Sequence, residues 1–290
     1  TPGRIQAQFA MQGRRPLRGF NGLPLESESA RLHAVQGFTN AELYWVSPEM
    51  SDVVATMYPS IPDCVAQPPC DTGFVMFTRP ILGTDAASGG NIHTTAFMWQ
   101  PVTTAIGECW SLETYSWRDI VFMYQVLSEK EKEHFRELLP CRLMPTGGQE
   151  WPMGSQISDF SSLPADDSTM EVSMLEDRRL LATFWALCSQ KITVETRWEA
   201  DRATRRQAMR WGAKTVPSVR VIRLREPTLR TEHGAGRDVE WSHRWIVGSH
   251  WRNQWYPSTG QHRPKLIDAY QKGPADKPLV VRETVRALVR

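Results

Sequence analysis

The chain has little from which to build a disulfide framework. Its five cysteines, Cys64, Cys70, Cys109, Cys141 and Cys188, are odd in number and scattered, a pattern of reduced thiols in a cytoplasmic protein. It has no apolar run near the ~18 residues that a bilayer span needs and no charged-then-apolar leader, so a soluble chain with no membrane partner is expected. It has little net excess of one charge either, with 34 Lys+Arg against 32 Asp+Glu. Common catalytic signatures are missing as well. There is no Gly-x-x-x-x-Gly-Lys phosphate loop, no Gly-x-Gly-x-x-Gly, no His-Glu-x-x-His, no Cys-x-x-Cys pair and no Gly-x-Ser-x-Gly elbow. Nucleotide-dependent ATPases, dinucleotide oxidoreductases, zincins and serine hydrolases are disfavoured accordingly, and no cofactor is expected.

What is present is apolar mass. Hydrophobic residues make up 41% of the 290, including 12 Trp and 10 Phe, which excludes disorder across the whole length. Local patterns point to α+β, with mainly antiparallel sheets and helices in blocks. A β-prone run at 41–46 leads into Ser47-Pro48-Glu49, an N-cap, a first-turn proline and an early acid, which predict a helix to about residue 58. Strands are expected at 73–78, 93–99 and 108–116, joined across Gly83, Gly89 and Gly90, and a charged helix at 128–139. The stripe Leu175, Leu180, Leu181, Phe184, Leu187 and Cys188 predicts a helix over 174–190 that buries Leu181, Phe184 and Leu187 against a sheet. An Arg-rich helix over 199–211 closes at Gly212, and strands follow at 219–224, 239–247 and 265–270. Composition divides the chain into an extended arm (1–30), an α+β region (31–150), a Pro/Gly/Ser-rich loop or linker (151–173) and a basic α+β region (174–290).

The near-neutral total hides a split. Residues 1–175 hold 11 Lys+Arg against 20 Asp+Glu, whereas residues 176–290 hold 23 against 12. A basic C-terminal part suits phosphate; equally, two oppositely charged halves suit each other or a protein partner. The segment 241–263 concentrates four of the 12 Trp and three of the seven His. Taken as one strand, 241–252 puts Trp241, His243, Trp245 and Val247 on one face and Arg244, Ile246, His250 and Arg252 on the other. On the second face His250 would act as acid or base, with His262 as a second titrating group beyond the turn at 257–260. Arg244 and Arg252 would clamp a phosphate, as in a metal-independent nuclease. Arg263, Trp251 and Tyr256 complete the candidate nucleic-acid contacts, with Trp251 or Tyr256 stacking on a base, and Arg202 and Arg206 of the basic helix would track a phosphate row. Half-buried packing is the competing account of the Trp and His residues, and a solvated face that of the helix. Zinc at His243, His250 and His262 is disfavoured, because no cysteine or acid completes the set and no metal is expected.

The run from His243 to Tyr256 (HRWIVGSHWRNQWY), followed by Gln261-His262-Arg263-Pro264 and by Lys272-Gly273-Pro274, resembles a C-terminal pattern of uncharacterised actinobacterial plasmid and phage proteins. That pattern reads His-Arg-Trp-x-Val-x-Gly-His-Trp-Arg; here Ser249 separates the glycine from His250. The likeness covers roughly residues 175–280, and it implies a mobile-element setting and no particular mechanism. Two readings stand at this point: an RNA- or DNA-binding protein, with or without nuclease activity, and a non-enzymatic interaction factor of a plasmid or phage.

Overall fold

A computed structural model describes residues 40–82, 93–117, 119–121, 128–130, 132–133, 143–161, 168–190, 192–210, 216, 218–225, 244–274 and 277–278. Residues 1–39 and 226–243, and with them the expected arm and Trp241 and His243, lie outside these, as do Gly83, Gly89, Gly90, Cys141 and Gly212. The chain divides into two units, Thr1–Arg225 and Glu226–Arg290.

In the first unit, strand β1 (Glu42–Val46) leads into helix α1 (Pro48–Met57) at the expected start. The Ser47 hydroxyl accepts a hydrogen bond from the Met50 amide at 3.3 Å, satisfying one of the amides that a helix leaves open. A 3-10 turn at Tyr58–Ser60 ends the run at Pro59. Then follow β2 (Gly73–Leu82), β3 (His93–Thr104), β4 (Gly107–Trp117), β5 (Leu143–Pro152), α2 (Ser168–Cys188), β6 (Thr193–Trp198), α3 (Arg202–Arg210) and β7 (Val219–Leu224). The seven strands form one sheet in the order β5-β4-β3-β2-β1-β7-β6. Its centre is parallel, because β1 pairs in parallel with both β2 and β7. The other four pairings are antiparallel. The fold is α+β, with a mixed, mostly antiparallel sheet and, among the described residues, few helices. Helices α1, α2 and α3 each stand between two strands, and further helical residues at 119–121, 129–130 and 132–133 lie between β4 and β5.

Register sorts the strand side chains into two buried faces. Leu43, Phe74, Met76, Ala96, Met98, Tyr115, Leu143 and Val219 share one, with Trp45 and Trp117 against them. On the other, Tyr44, Phe77 and Trp99 receive α2, whose Phe184 ring lies 5.5, 6.1 and 6.2 Å from theirs. Leu181, Phe184 and Leu187 are fully buried, as their spacing predicts. Beside them Trp185 stacks on Trp151 with ring centroids 5.6 Å apart. Gly73 is required in this layer, since a Cβ there would meet the Trp99 ring at 2.1 Å. Among the described residues, no helix is long and apolar enough to cross a membrane.

Several expectations shift. Residues 143–152, read as the start of a loop, form β5 at a sheet edge; 193–198, left unassigned, form β6 at the other edge. Helix α2 starts at Ser168 rather than residue 174. The expected linker at 151–173 falls inside the first unit, because strands from both sides of it join the same sheet. Residues 162–167 of it lie outside the described residues; the described part, 151–161, is tied back to the first unit. Ser158 donates from its amide (3.0 Å) and its hydroxyl (2.5 Å) to the Asp63 carboxylate.

Candidate nucleic-acid interface

The second unit carries two strand pairs. β8 (Trp245–Val247) pairs with β11 (Tyr270–Lys272), and β9 (His250–Tyr256) pairs with β10 (Gln261–Ile267) as an antiparallel hairpin. The turn between β9 and β10 is Pro257-Ser258-Thr259-Gly260. The Tyr256 carbonyl accepts from the Gly260 amide at 2.9 Å, and Gly260 sits at φ +61°, where only glycine is free of strain. At the far end the Ser249 hydroxyl accepts from the Ala269 amide at 3.2 Å. The segment 241–252 is therefore not one strand. It breaks at Gly248-Ser249: Arg244 precedes β8, whereas His250 opens β9 of the other strand pair.

Hairpin register fixes which side chains share a face. Tyr256 lies opposite Gln261, Gln254 opposite Arg263, Arg252 opposite Lys265 and His250 opposite Ile267. These eight share one face, because directly opposed residues in an antiparallel pair point the same way. Trp251, Asn253 and Trp255 share the other with Leu266, Pro264 and His262. The first face is cationic. Arg252 and Lys265 are exposed and directly opposed, and Arg263 is half-buried next to them. No Asp or Glu occurs anywhere in residues 250–267. Among the described residues neither the Arg252 nor the Lys265 side chain has a hydrogen bond or an ion pair, and the buried Nε of Arg263 has no acceptor.

The remaining expected site residues are dispersed. His250 directs Nδ1 at the Gly248 carbonyl, 3.0 Å away; a carbonyl only accepts, so Nδ1 is the donor in that contact. His262 lies on the opposite face and near the opposite end of the hairpin, its ring 4.9 Å from that of Trp255. The two histidines do not meet. Arg244 is bound elsewhere, its Nε donating to the Lys277 carbonyl at 2.7 Å and its amide to the Pro278 carbonyl at 2.8 Å. Trp251 is half-buried opposite the buried Leu266, whereas Trp255 and Tyr256 are exposed by 46% and 37%. On α3, in the first unit, Arg202, Arg206 and Arg210 are exposed at four-residue spacing, a row with a step of about 6 Å. Asp201 caps that helix, its carboxylate accepting from the Thr204 amide at 2.7 Å, and Arg205 donates to the Ala200 carbonyl at 2.7 Å. Among the described residues, no three His, Cys, Asp or Glu side chains gather as a metal set.

No family model matches the chain, and no curated protein matches it. A solved structure, the crystal structure of AcrVA2, is similar over 83% of this chain and 75% of its own, with 12% identity and a TM-score of 0.41. The site is accordingly read from its own chemistry.

Two side chains of the hairpin escaped the sequence reading. Lys265, on the cationic face, joins Arg252 only through the register of the turn, and Trp255, on the opposite face, is the exposed tryptophan of the pair Trp251 and Trp255. Directly opposed like charges destabilise a strand pair by about 0.2–1 kcal/mol. Lys265→Gln should therefore slow amide exchange in β9 and β10, by up to roughly fivefold, in buffer free of polyvalent anions. Faster exchange in that variant would mean that the pair is not in repulsion.

Proposed function

We propose that the chain binds nucleic acid through the cationic face of the β9–β10 hairpin. The observation that carries this reading is the opposed, unpaired Arg252 and Lys265 on a hairpin without a single acidic residue. A protein that keeps two cations opposite each other with no carboxylate nearby gains most when a polyanion supplies the missing charge. A two-stranded ribbon also matches the width of a groove or the run of a backbone. Arg263 extends the row, and Arg202, Arg206 and Arg210 on α3 offer a second, separate set of phosphate contacts. We assign binding without cleavage by a His250–His262 pair, because those imidazoles lie on opposite faces. The setting that the C-terminal pattern implies, a plasmid or phage, is compatible with such a role.

The reading as a non-enzymatic interaction factor drew on the opposite charges of the two halves. Part of that complementarity is satisfied inside the first unit. Arg220, from the basic half, pairs with Glu42 of the acidic half at 2.8 Å and with Glu195 at 2.9 Å. Fluorescence anisotropy of short RNA and DNA oligonucleotides with the full chain, at low and moderate salt, tests the proposal. Binding that weakens steeply with salt supports it. Absence of binding at low salt, or binding indifferent to salt, refutes it.

A further inference from the structure

We propose that the tip of the hairpin is a stacking platform for unpaired bases, so that the ligand is single-stranded nucleic acid. This rests on the nucleic-acid reading above and narrows it. The last two residues of β9 before the turn are Trp255 and Tyr256, and both rings stand in solvent, 46% and 37% exposed. As neighbours in a strand they point to opposite faces. Trp255 is steadied by His262, directly opposite it, with ring centroids 4.9 Å apart and tilted by 53°. Tyr256 shares its face with Arg252, Arg263 and Lys265. From Tyr256 to Arg252 is four residues, about 13 Å along the strand. One strand of nucleic acid lying on that face would set phosphates against Arg252 and Lys265 and bring a base over Tyr256. The next bases would turn past the tip to Trp255.

A duplex gives these rings little to do. Its bases are already stacked on each other, and only its backbone would meet the cations. An unpaired base has a free π-face, and stacking on an aromatic ring is how sequence-tolerant single-strand binders gain affinity. Exposed aromatic rings with cations also suit an anionic lipid surface. The rest of the tip argues against that occupant. Asn253, Gln254, Pro257, Ser258, Thr259 and Gln261 neighbour the two residues along the hairpin, and the aliphatic side chain among them is Pro257 alone; such a set hydrogen-bonds base edges and offers little to acyl chains.

The test titrates the full chain with a short single-stranded oligonucleotide, the duplex of the same sequence and anionic phosphatidylserine-containing vesicles, using wild type, Trp255→Ala, Trp255→Phe and Tyr256→Ala. The expected result is a preference for the single strand, which Trp255→Ala weakens roughly 5- to 150-fold while duplex affinity stays unchanged. Trp255→Phe should restore most of the loss, since a phenyl ring still stacks. Equal affinity for single strand and duplex, with Trp255→Ala silent, overturns the stacking platform and leaves backbone binding standing. Binding to neither nucleic acid overturns both readings. Trp255-dependent binding to vesicles, with no oligonucleotide bound, assigns the tip to a lipid surface and overturns the proposal.

Discussion

Arg178→Ala should cost the first unit about 3–5 kcal/mol, at the top of the range for single substitutions. Arg178 lies in α2 with none of its surface exposed. Its Nε donates to the Gln149 side chain at 2.8 Å, and its two terminal nitrogens donate to the carbonyls of Asp159 (2.7 Å) and Glu150 (3.1 Å). Its guanidinium carbon sits 4.2 Å from the Phe160 ring centroid and 5.5 Å from that of Trp151. Burial pulls its pKa down to about 10, which still leaves it charged at neutral pH. Among the described residues no carboxylate forms an ion pair with it; three neutral acceptors and two rings hold the charge, with the Asp159 carboxylate adding a longer-range attraction. Alanine removes the donors, leaves the Asp159 and Glu150 carbonyls without them and opens a cavity in α2's buried face. Urea unfolding measures the loss. Lysine should rescue little, because one ammonium cannot reach three acceptors spread around a planar fork. A loss within about 0.5 kcal/mol, the range of surface changes, would show that the loop after β5 does not depend on this side chain.

The second large effect concerns binding. Reversing both Arg252 and Lys265 to Glu replaces two attractions to phosphate by two repulsions. Each unit-charge contact near 4 Å is worth ~1 kcal/mol even in bulk water, so the double reversal should weaken oligonucleotide binding by roughly 10²–10³-fold at low salt. The hairpin itself should be little affected, because one exposed like-charge pair replaces another at the same register. Circular dichroism and amide exchange check that point. Unchanged affinity in a folded Arg252→Glu/Lys265→Glu chain would move the phosphate contacts away from this face, leaving the arginines of α3 as the next candidates.

Much of the fold was readable because the deciding signals are local. Ser47-Pro48-Glu49 starts a helix for reasons contained in three residues. The spacing of Leu181, Phe184 and Leu187 shows which side of α2 is buried. The run at 219–224 is a strand by its branched and apolar content alone. The two edge strands were harder. β5 contains Pro145, Gly147, Gly148 and Pro152, which read as loop punctuation, yet an edge strand tolerates proline. At Gly147 a Cβ would meet the Thr114 hydroxyl at 2.7 Å, so glycine there serves close packing. β6 alternates Glu195 and Arg197 with Thr and Val, a polar pattern for a strand with one open edge. The parallel centre could not be read at all, because periodicity reports faces and not partners.

The site was readable to the same depth. Parity along β9 groups His250 with Arg252, and the hairpin keeps that grouping. Arg244 was joined to them only by assuming an unbroken strand, and Gly248-Ser249 ends that strand. Cross-strand neighbours depend on the turn, where Gly260 sets the register that brings Lys265 opposite Arg252. The same register sends His262 to the far face.

The slope of log affinity against log salt concentration tests the central claim most directly. It should be measured for wild type and for Arg252→Gln/Lys265→Gln with a single-stranded oligonucleotide. Each lost phosphate contact removes about 0.7 from the slope on a single strand. The account predicts a slope shallower by about 1.4 in the double variant, with affinity lower at low salt and the two curves converging as salt rises. Two parallel lines, or superimposed ones, would contradict it, because the cations on the hairpin face would then release no counterions from the ligand.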